Sequence, residues 1–286
     1  MAEVTAADVK KLREKTGAGM MECKIALVAG GGDFAAAEKI LKEKGLAAVE
    51  KRAGKAANEG KIFITAVQAR AVLAEIASET DFVARSPDFT GLGTALTERA
   101  LEKGYSQPNE ELNGMVTELA TKIRENMTLK RLRAVEAAPN EYLTHYIHGD
   151  GAIGVVVKIA SDKPEIFTNG EFKSFAFNLA LHIAAFNPLV LSRDKVEPAW
   201  LREQENIFRK QMEGDDSFKD KPAAVTENIL KGKVNKFLKE ICLLDQGYVK
   251  DEKISVARAL EEEGKKTGAK LSISDYVYYK VGSGDA

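Results

Sequence analysis

The segment Leu73-Ala74-Glu75-Ile76-Ala77-Ser78-Glu79 recurs as Val156-Val157-Lys158-Ile159-Ala160-Ser161-Asp162, at an offset of 83 residues (156 − 73). Both segments are rich in small and branched apolar residues, which predicts two mostly buried strands. The same offset carries the helical pattern of 90–101 onto 173–184. The chain is therefore predicted to contain one strand-to-helix unit twice.

The pattern on either side of the repeat predicts an α+β fold with two related lobes, at 61–140 and 141–286. Short strands and tight turns indicate antiparallel sheets, each covered by helices on one face. The predicted strands lie at 62–67, 71–77, 129–135, 142–147, 153–159 and 276–281. Amphipathic helices at about 198–240, separated by a polar turn at 214–216, predict a helical hairpin inserted into the second lobe.

Residues 1–45 are predicted to form a three-helix module that resembles ubiquitin-associated domains. Thr5 and Asp8 have the spacing of a capping box for the first helix. The stretch Thr16-Gly17-Ala18-Gly19 breaks that helix, Met20 begins the second, and a third follows a triple glycine. The first stretch of the chain therefore has the start and stop signals of a small helical bundle.

The second predicted helix begins with two adjacent methionines, Met20 and Met21, and carries Ile25 and Leu27 as its apolar positions. Methionine commonly fills core gaps, and one of the pair fits that role. Adjacent helical residues cannot both face one core, so the pair is predicted to be a contact patch.

Residues 46–60 are predicted to be a solvated linker, because they contain few large apolar side chains. Their cations Lys51, Arg52 and Lys55 also suit an RNA contact, but a solvated charge run is the more common role.

The loop after the first repeated strand carries an aromatic residue, in the run Thr80-Asp81-Phe82-Val83. A lone loop phenylalanine usually folds back over a sheet edge. The second copy, however, has Lys163-Pro164-Glu165 at the positions of Thr80-Asp81-Phe82. An aromatic needed for folding should occur in both copies, so Phe82 is predicted to serve function.

The Thr-Asp-Phe-Val-Ala run resembles the signature of the elongation factor Ts family, guanine-nucleotide exchange factors for the GTPase elongation factor Tu. Four further blocks resemble that family, in the family's order and over nearly the whole chain; they lie at 9–27, 146–151, 178–185 and 236–240. Five ordered blocks make a specific match. The resemblance implies that the chain promotes GDP release from elongation factor Tu and has no covalent catalysis of its own.

The resemblance also implies roles for individual residues. Asp81 and Phe82 would form a wedge that dislocates the magnesium side of the GTPase, with Thr80 capping the turn and Val83 fixing its base. Two more partner contacts are implied, one from the N-terminal module and one from the second lobe; their residues are Arg13, Met20, Met21 and His148. In some relatives the hairpin mediates self-association.

The sequence departs from the family pattern at two places, and the family's contacts at these places are not expected here. Some relatives continue into a C-terminal helix beyond the position of Gly284, so that contact is expected to be missing. Many relatives carry arginine where this chain has Ala152, so no salt bridge is expected from that position.

Composition narrows the class of protein further. The 286 residues carry a net charge of −1, which excludes a broadly basic surface, so no nucleic-acid partner is expected. No apolar stretch approaches the roughly 20 residues of a membrane span, and no targeting peptide is evident at the N-terminus. Two cysteines in unrelated contexts, Cys23 and Cys242, predict free thiols. The chain is expected to be cytoplasmic.

The sequence offers little for catalysis or cofactor binding. The three histidines, His145, His148 and His182, do not have the spacing of a zinc site or a catalytic triad. The triple glycine at 30–32 lacks the Gly-Lys-Ser/Thr ending of a phosphate loop, so no direct nucleotide binding is expected. No cofactor and no bound metal are predicted, since Asp81 alone cannot hold a divalent ion.

Two other function classes stay open at this point. A non-catalytic adaptor would use only the N-terminal helical module and would leave Phe82 irrelevant. An enzyme would need a convergent polar cluster, which the sequence does not indicate.

Overall fold

A computed structural model of the chain describes residues 4–52, 54–215 and 221–284. Contacts divide the chain into two compact units. The first contains the chain up to Val135 together with Gly149–Ile153 and Tyr279–Gly284. The second contains Glu136–His148 and Gly154–Tyr278. The finer boundaries predicted at residues 45, 60 and 140 stay predictions.

Three helices open the first unit: α1 (Ala6–Thr16), α2 (Met20–Ala29) and α3 (Phe34–Arg52). The Thr5 hydroxyl accepts from the Asp8 amide while the Asp8 carboxylate accepts from the Thr5 amide, which confirms the predicted capping box. Gly17 ends α1 in the left-handed region, inside the break predicted over residues 16–19. The inner faces of the helices bury a small apolar core of Val9, Leu12, Cys23, Ala26, Leu27, Ala37 and Leu41.

Helix α3 continues to Arg52, whereas the sequence pattern predicted a linker from residue 46. Gly45 lies inside this helix, at a position of close packing. A Cβ on Gly45 would lie 2.1 Å from Cγ2 of Thr121, in helix α6 (Glu110–Ile123). The glycine therefore lets α3 approach α6, and the N-terminal helices pack directly on the sheet-bearing part of their unit.

The remaining elements of the first unit surround a three-stranded sheet, ordered β1-β2-β3. They are β1 (Glu59–Val67), β2 (Arg70–Ser78), α4 (Asp81–Ala84), α5 (Pro87–Lys103), α6 and β3 (Met127–Glu136). Strands β1 and β2 are antiparallel, with Phe63 opposite Ala74. Helices α5 and α6 cover the sheet and bury Phe63, Phe89 and Leu96 in the core between them.

The second unit has a sheet ordered β4-β5-β8 and a helical hairpin. Its elements are β4 (Glu141–His148), β5 (Ile153–Ser161), a 3₁₀ segment (Pro164–Thr168), α7 (Gly170–Phe186), α8 (Pro198–Glu213), α9 (Ala223–Ile241), β6 (Gly247–Tyr248), β7 (Asp251–Ser255), α10 (Val256–Thr267) and β8 (Leu271–Lys280). The predicted α+β fold with small antiparallel sheets is confirmed.

Helices α8 and α9 pack on each other through aromatic side chains. The Phe237 ring lies 5.5 Å from that of Trp200 and 5.6 Å from that of Phe208. The predicted polar turn ends α8 at Gly214, while Asp216 of that turn lies outside the described residues. The predicted helical hairpin is thus present.

The predicted repeat is confirmed element by element. Strands β2 and β5 have bounds that differ by 83 residues at both ends (153 − 70 and 161 − 78), and so do helices α5 and α7 (170 − 87 and 186 − 103). Ser86 caps α5 and Asn169 caps α7 at equivalent positions, and Phe89 and Phe172 below them are fully buried.

The offset grows in the last part of the repeat. Helices α6 and α10 both end in a left-handed residue, Arg124 and Gly268, and the strands that follow begin at Met127 and Leu271. The offset here is 144 (268 − 124), so the second copy contains 61 extra residues (144 − 83). The hairpin and the short β6–β7 ribbon occupy this insertion, and the sequence pattern did not predict the ribbon or α10.

A buried ion pair holds the segment Tyr279–Gly284 within the first unit. Nε of Arg131 donates to the Glu75 carboxylate at 2.7 Å, and both side chains are almost fully buried. The amide of Gly282 donates to the second Glu75 oxygen at 2.9 Å, and the Arg131 guanidinium lies 3.9 Å from the Tyr279 ring centroid. The pair is therefore satisfied on both sides by hydrogen bonds.

In the part of the chain that the structure describes, no helix combines the length and apolarity needed to cross a membrane. The same residues contain no group of three or more histidine, cysteine, aspartate or glutamate side chains that could hold a metal ion.

Candidate functional site

The segment with the signature run forms a single helical turn, α4, between two caps. Thr80 begins the turn, and its hydroxyl accepts from the Val83 amide at 3.4 Å. Ser86 caps α5 directly after it, and its hydroxyl accepts from the Phe89 amide at 3.2 Å. The backbone of Ser86 is extended, as is usual for an N-cap residue, and this separates α4 from α5.

Phe82 projects from α4 into solvent with 84% of its side chain exposed, whereas Val83 and Ala84 are buried. Successive helical residues are 100° apart, so Val83 and Ala84 can face the core only if Phe82 faces away. Burying a phenylalanine would contribute about 1.5–3 kcal/mol, which the isolated chain does not gain. The alternative in which Phe82 covers a sheet edge is not observed.

The base of α4 is fixed by polar contacts. The Thr80 hydroxyl donates to the Glu125 carboxylate at 2.9 Å, and the Ser78 hydroxyl donates to the Thr80 carbonyl at 3.0 Å. Val83 packs into the apolar core of the first unit. The exposed Phe82 ring therefore projects from a turn that is fixed by hydrogen bonds and core packing.

Glu79, just before the turn, accepts from two cations of the predicted linker. Nζ of Lys55 lies 3.0 Å and Nη1 of Arg52 lies 2.8 Å from the carboxylate oxygens. These hydrogen bonds, led by the one from Lys55, hold the pKa of Glu79 below its ordinary value. Arg52 and Lys55 keep solvent exposure, and their shared ion pair with this carboxylate, distant in sequence, was not predicted.

Asp81 lies beside Phe82 with its carboxylate half-exposed. Its nearest cation is Arg85, one turn further on, at 3.3 Å. Such a pair on the surface contributes little to stability and is easily exchanged for another partner. Asp81 is therefore available for contacts outside the chain.

The second copy of the repeat has a different residue at the position of Phe82. Its 3₁₀ segment buries Ile166 at the position of Val83, and Glu165 is exposed at the position of Phe82. The aromatic residue of this segment, Phe167, packs on Tyr142 and Phe172 with ring centroids 5.7 and 5.5 Å away. Only the buried position is shared, so Phe82 has no structural counterpart.

The N-terminal residues Arg13, Met20 and Met21 are all exposed, and Met21 is 66% exposed. Helix α2 also exposes Ile25 and Val28, which continue the line of Met21 at one and two turns. Of the two apolar positions named from the sequence, Leu27 is buried together with Cys23 and Ala26, whereas Ile25 is exposed. The spacing 21, 25, 28 was the signal for a second apolar stripe.

His148 is exposed at the end of β4 in the second unit. Its Nδ1 lies 3.0 Å from the Tyr146 hydroxyl, and the Tyr146 ring meets the half-exposed Phe177 edge-on at 5.6 Å. Tyr146 and Phe177 were not predicted from the sequence. Together these side chains form a partly aromatic surface on that unit.

His182, in contrast, is a core residue, as the sequence predicted. Its Nε2 lies 3.0 Å from the Gln246 side-chain oxygen, and Nδ1 accepts from the Val249 amide at 3.2 Å. Nε2 therefore carries the proton, and burial lowers the pKa of this histidine. The arrangement serves packing.

The structure brings Thr80, Asp81, Phe82 and Val83 together on one turn, in the same unit as Arg13, Met20 and Met21. His148 belongs to the other unit. Within the first set, Phe82, Met20 and Met21 expose apolar side chains on helical turns.

Comparisons with known proteins agree on one family. The family model described as elongation factor TS matches residues 79–283. Elongation factor Ts of Treponema denticola is 48% identical over 99% of this chain and 99% of that protein. Elongation factor Ts of Treponema pallidum is 42% identical over 98% of this chain, and that of Borreliella burgdorferi is 38% identical over 99% of it. These relatives are covered over 99% and 100% of their own lengths.

Proposed function

The chain belongs to the elongation factor Ts family of translation elongation factors, and from that premise we propose that it promotes GDP release from elongation factor Tu. GTP can then reload the emptied GTPase. The observation that carries the proposal is Phe82, whose ring is almost fully exposed on a fixed turn. The second copy of the repeat has no aromatic residue at this position.

An exchange factor needs no covalent chemistry, because its task is to bind the nucleotide-free GTPase better than the GDP form. Thermodynamic linkage then requires GDP to weaken the complex by the same factor. Exposed apolar contacts on a rigid scaffold meet this need.

We assign the displacement to the wedge segment, defined as Thr80–Val83. GTPases hold GDP through a phosphate loop and a magnesium ion that bridges protein and phosphate oxygens. Phe82 inserts between elements on the magnesium side, and the Asp81 carboxylate perturbs the surroundings of the ion. Thr80 and Val83 keep the turn in place when Phe82 inserts, Thr80 through its cap and Val83 through its core contact.

A single ring contributes too little affinity to hold a partner, so further contacts are required. Arg13, Met20 and Met21 supply one from the N-terminal helices, and Ile25 and Val28 extend that surface. His148 supplies another from the second unit.

The proposal is tested by release of fluorescent GDP from elongation factor Tu. Added protein should accelerate release in a concentration-dependent manner, and the isolated chain should neither bind nor hydrolyse GTP. Unchanged release at saturating protein would contradict the proposal. If residues 1–45 alone bound the partner as well as the full chain did, the adaptor function would be favoured instead.

The paired substitution Met20→Asp with Met21→Asp is expected to weaken complex formation while leaving the melting temperature nearly unchanged. Both side chains are exposed at the first turn of α2, where aspartate suits the helix dipole. Titration calorimetry with nucleotide-free partner and thermal unfolding measure the two effects. A large fall in melting temperature would show that the methionines are core residues.

A further inference from the structure

Three consecutive residues after α6, namely Arg124, Glu125 and Asn126, each bind a different segment of the first unit. We call them the α6–β3 turn. Their partners are the Glu22 carboxylate for Arg124, the Thr80 hydroxyl for Glu125 and the Lys55 carbonyl for Asn126. One short turn therefore connects segments that are far apart in the sequence.

One of these partners, Thr80, belongs to the wedge segment, and another, Glu22, lies next to the proposed contact residues Met20 and Met21. Glu22 lies in the first turn of α2 beside Met20 and Met21, and its carboxylate also accepts from the Gly19 amide at 3.2 Å. Thr80 begins the wedge segment. We call Met20 and Met21 the methionine surface. The α6–β3 turn thus contacts the helix that carries this surface and also the segment that carries Phe82.

Asn126 secures the entry to the wedge segment. Nδ2 of its buried side chain donates to the Lys55 carbonyl at 2.6 Å, and its backbone amide donates to the Glu79 carboxylate at 3.4 Å. The same carboxylate accepts from Arg52 at the end of α3. Residues just before the wedge are therefore bound to the end of the N-terminal helices.

The backbone of Arg124 is unfavourable for its residue type. Its φ of +64° lies in the left-handed region, which favours glycine at the end of a helix. The second lobe builds the equivalent turn with Gly268, at a φ of +67°, followed by Ala269 and Lys270. The turn can thus be made without arginine, so the side-chain contact is what Arg124 adds.

We propose that the α6–β3 turn is a positioning element that fixes the wedge segment relative to the methionine surface. A partner docked on Met20 and Met21 then receives Phe82 already aligned, because two contacts on one rigid frame act at high effective concentration. The inference rests on the exchange function proposed above. Arg124 acts through Glu22, and Glu125 acts through Thr80.

Arg124→Gly tests this role. The change removes the ion pair and relieves the unfavourable φ, so the melting temperature should stay near that of the wild type. GDP release at saturating protein should slow by at least about 5-fold, the lower end of typical coupling between two sites. Asn187→Gly is the matched control, because Asn187 also ends a helix in the left-handed region but belongs to the other unit. It should exchange GDP at the wild-type rate.

A charge exchange separates positioning from direct contact with the partner. Glu22→Arg alone places a second cation opposite Arg124, so it should slow GDP release. Glu22→Arg with Arg124→Glu restores an opposite-charge pair and should recover most of the lost rate, although both variants lose the Gly19 cap equally. A direct contact of either side chain with the partner would not be restored in this way.

Several results would overturn the positioning role. They are an Arg124→Gly protein that exchanges at the wild-type rate, one that melts well below the Asn187→Gly control, and a double charge variant that recovers none of the lost rate. A wild-type chain that fails to accelerate GDP release would instead overturn the exchange function itself.

Discussion

Phe82→Ala is expected to slow GDP release from elongation factor Tu by roughly 30- to 1,000-fold, because truncating an aromatic anchor at an interface costs about 2–4 kcal/mol. The ring is 84% exposed in the free chain, so its loss should change the free energy of unfolding by less than about 0.5 kcal/mol. Stopped-flow release of fluorescent GDP at saturating protein measures the first effect, and thermal unfolding measures the second.

The internal repeat supplies a matched control for this change. Glu165 occupies the equivalent exposed position of the second copy, so Glu165→Ala should leave GDP release nearly intact. A folded Phe82→Ala protein that releases GDP at the wild-type rate would show that the ring is not the wedge.

Arg131→Met is expected to destabilise the first unit by about 3–5 kcal/mol, since it leaves the Glu75 carboxylate buried without its countercharge. Methionine keeps a long side chain in the site, so the loss is one of charge and hydrogen bonding. The segment Tyr279–Gly284 should also detach, because the guanidinium donates to the Lys280 and Gly284 carbonyls. Hydrogen exchange of amides in β2 and β3 reports the opening of this unit.

Two variants bracket this result. Lys130→Met removes the same charge from the exposed neighbouring position of β3 and should change the free energy of unfolding by less than about 0.5 kcal/mol. Glu75→Leu with Arg131→Met removes both buried charges, so it should cost less than Arg131→Met alone. Equal exchange protection in wild type and Arg131→Met would contradict the importance of the pair.

The parts of the fold that follow from local signals were predicted from the sequence. The capping box at Thr5, the helix break at residues 16–19 and the repeated strand-to-helix unit depend on residues close together, or on a pattern that occurs twice. Cap and turn preferences act within a few residues, so one sequence is enough to find them.

Contacts between distant segments were not predictable in this way. Gly45 has the usual residue type of a helix end, yet Thr121 packs against it and the helix continues. Arg52 and Lys55 have the composition of a solvated run, yet Glu79 pairs with both. In each case the deciding partner lies at least 24 residues away, where spacing rules give no information.

The candidate site shows the same division. The repeat singled out Phe82 because its equivalent, Glu165, is not aromatic. The exposed stripe of Ile25 and Val28 was missed, since the apolar content of α2 did not show which face the core uses. Arg124 could have been noticed only through its backbone angle, which no sequence pattern gives.

The most direct test of the central claim measures how GDP changes the affinity of elongation factor Tu for this chain and for Phe82→Ala. Calorimetric titrations into nucleotide-free and GDP-saturated partner give a coupling factor for each protein. If Phe82 carries the displacement, GDP should weaken wild-type binding strongly and Phe82→Ala binding far less, while both proteins bind the nucleotide-free form through the remaining contacts. The same coupling factor for both proteins would contradict the account, because the competition with GDP would then arise away from Phe82.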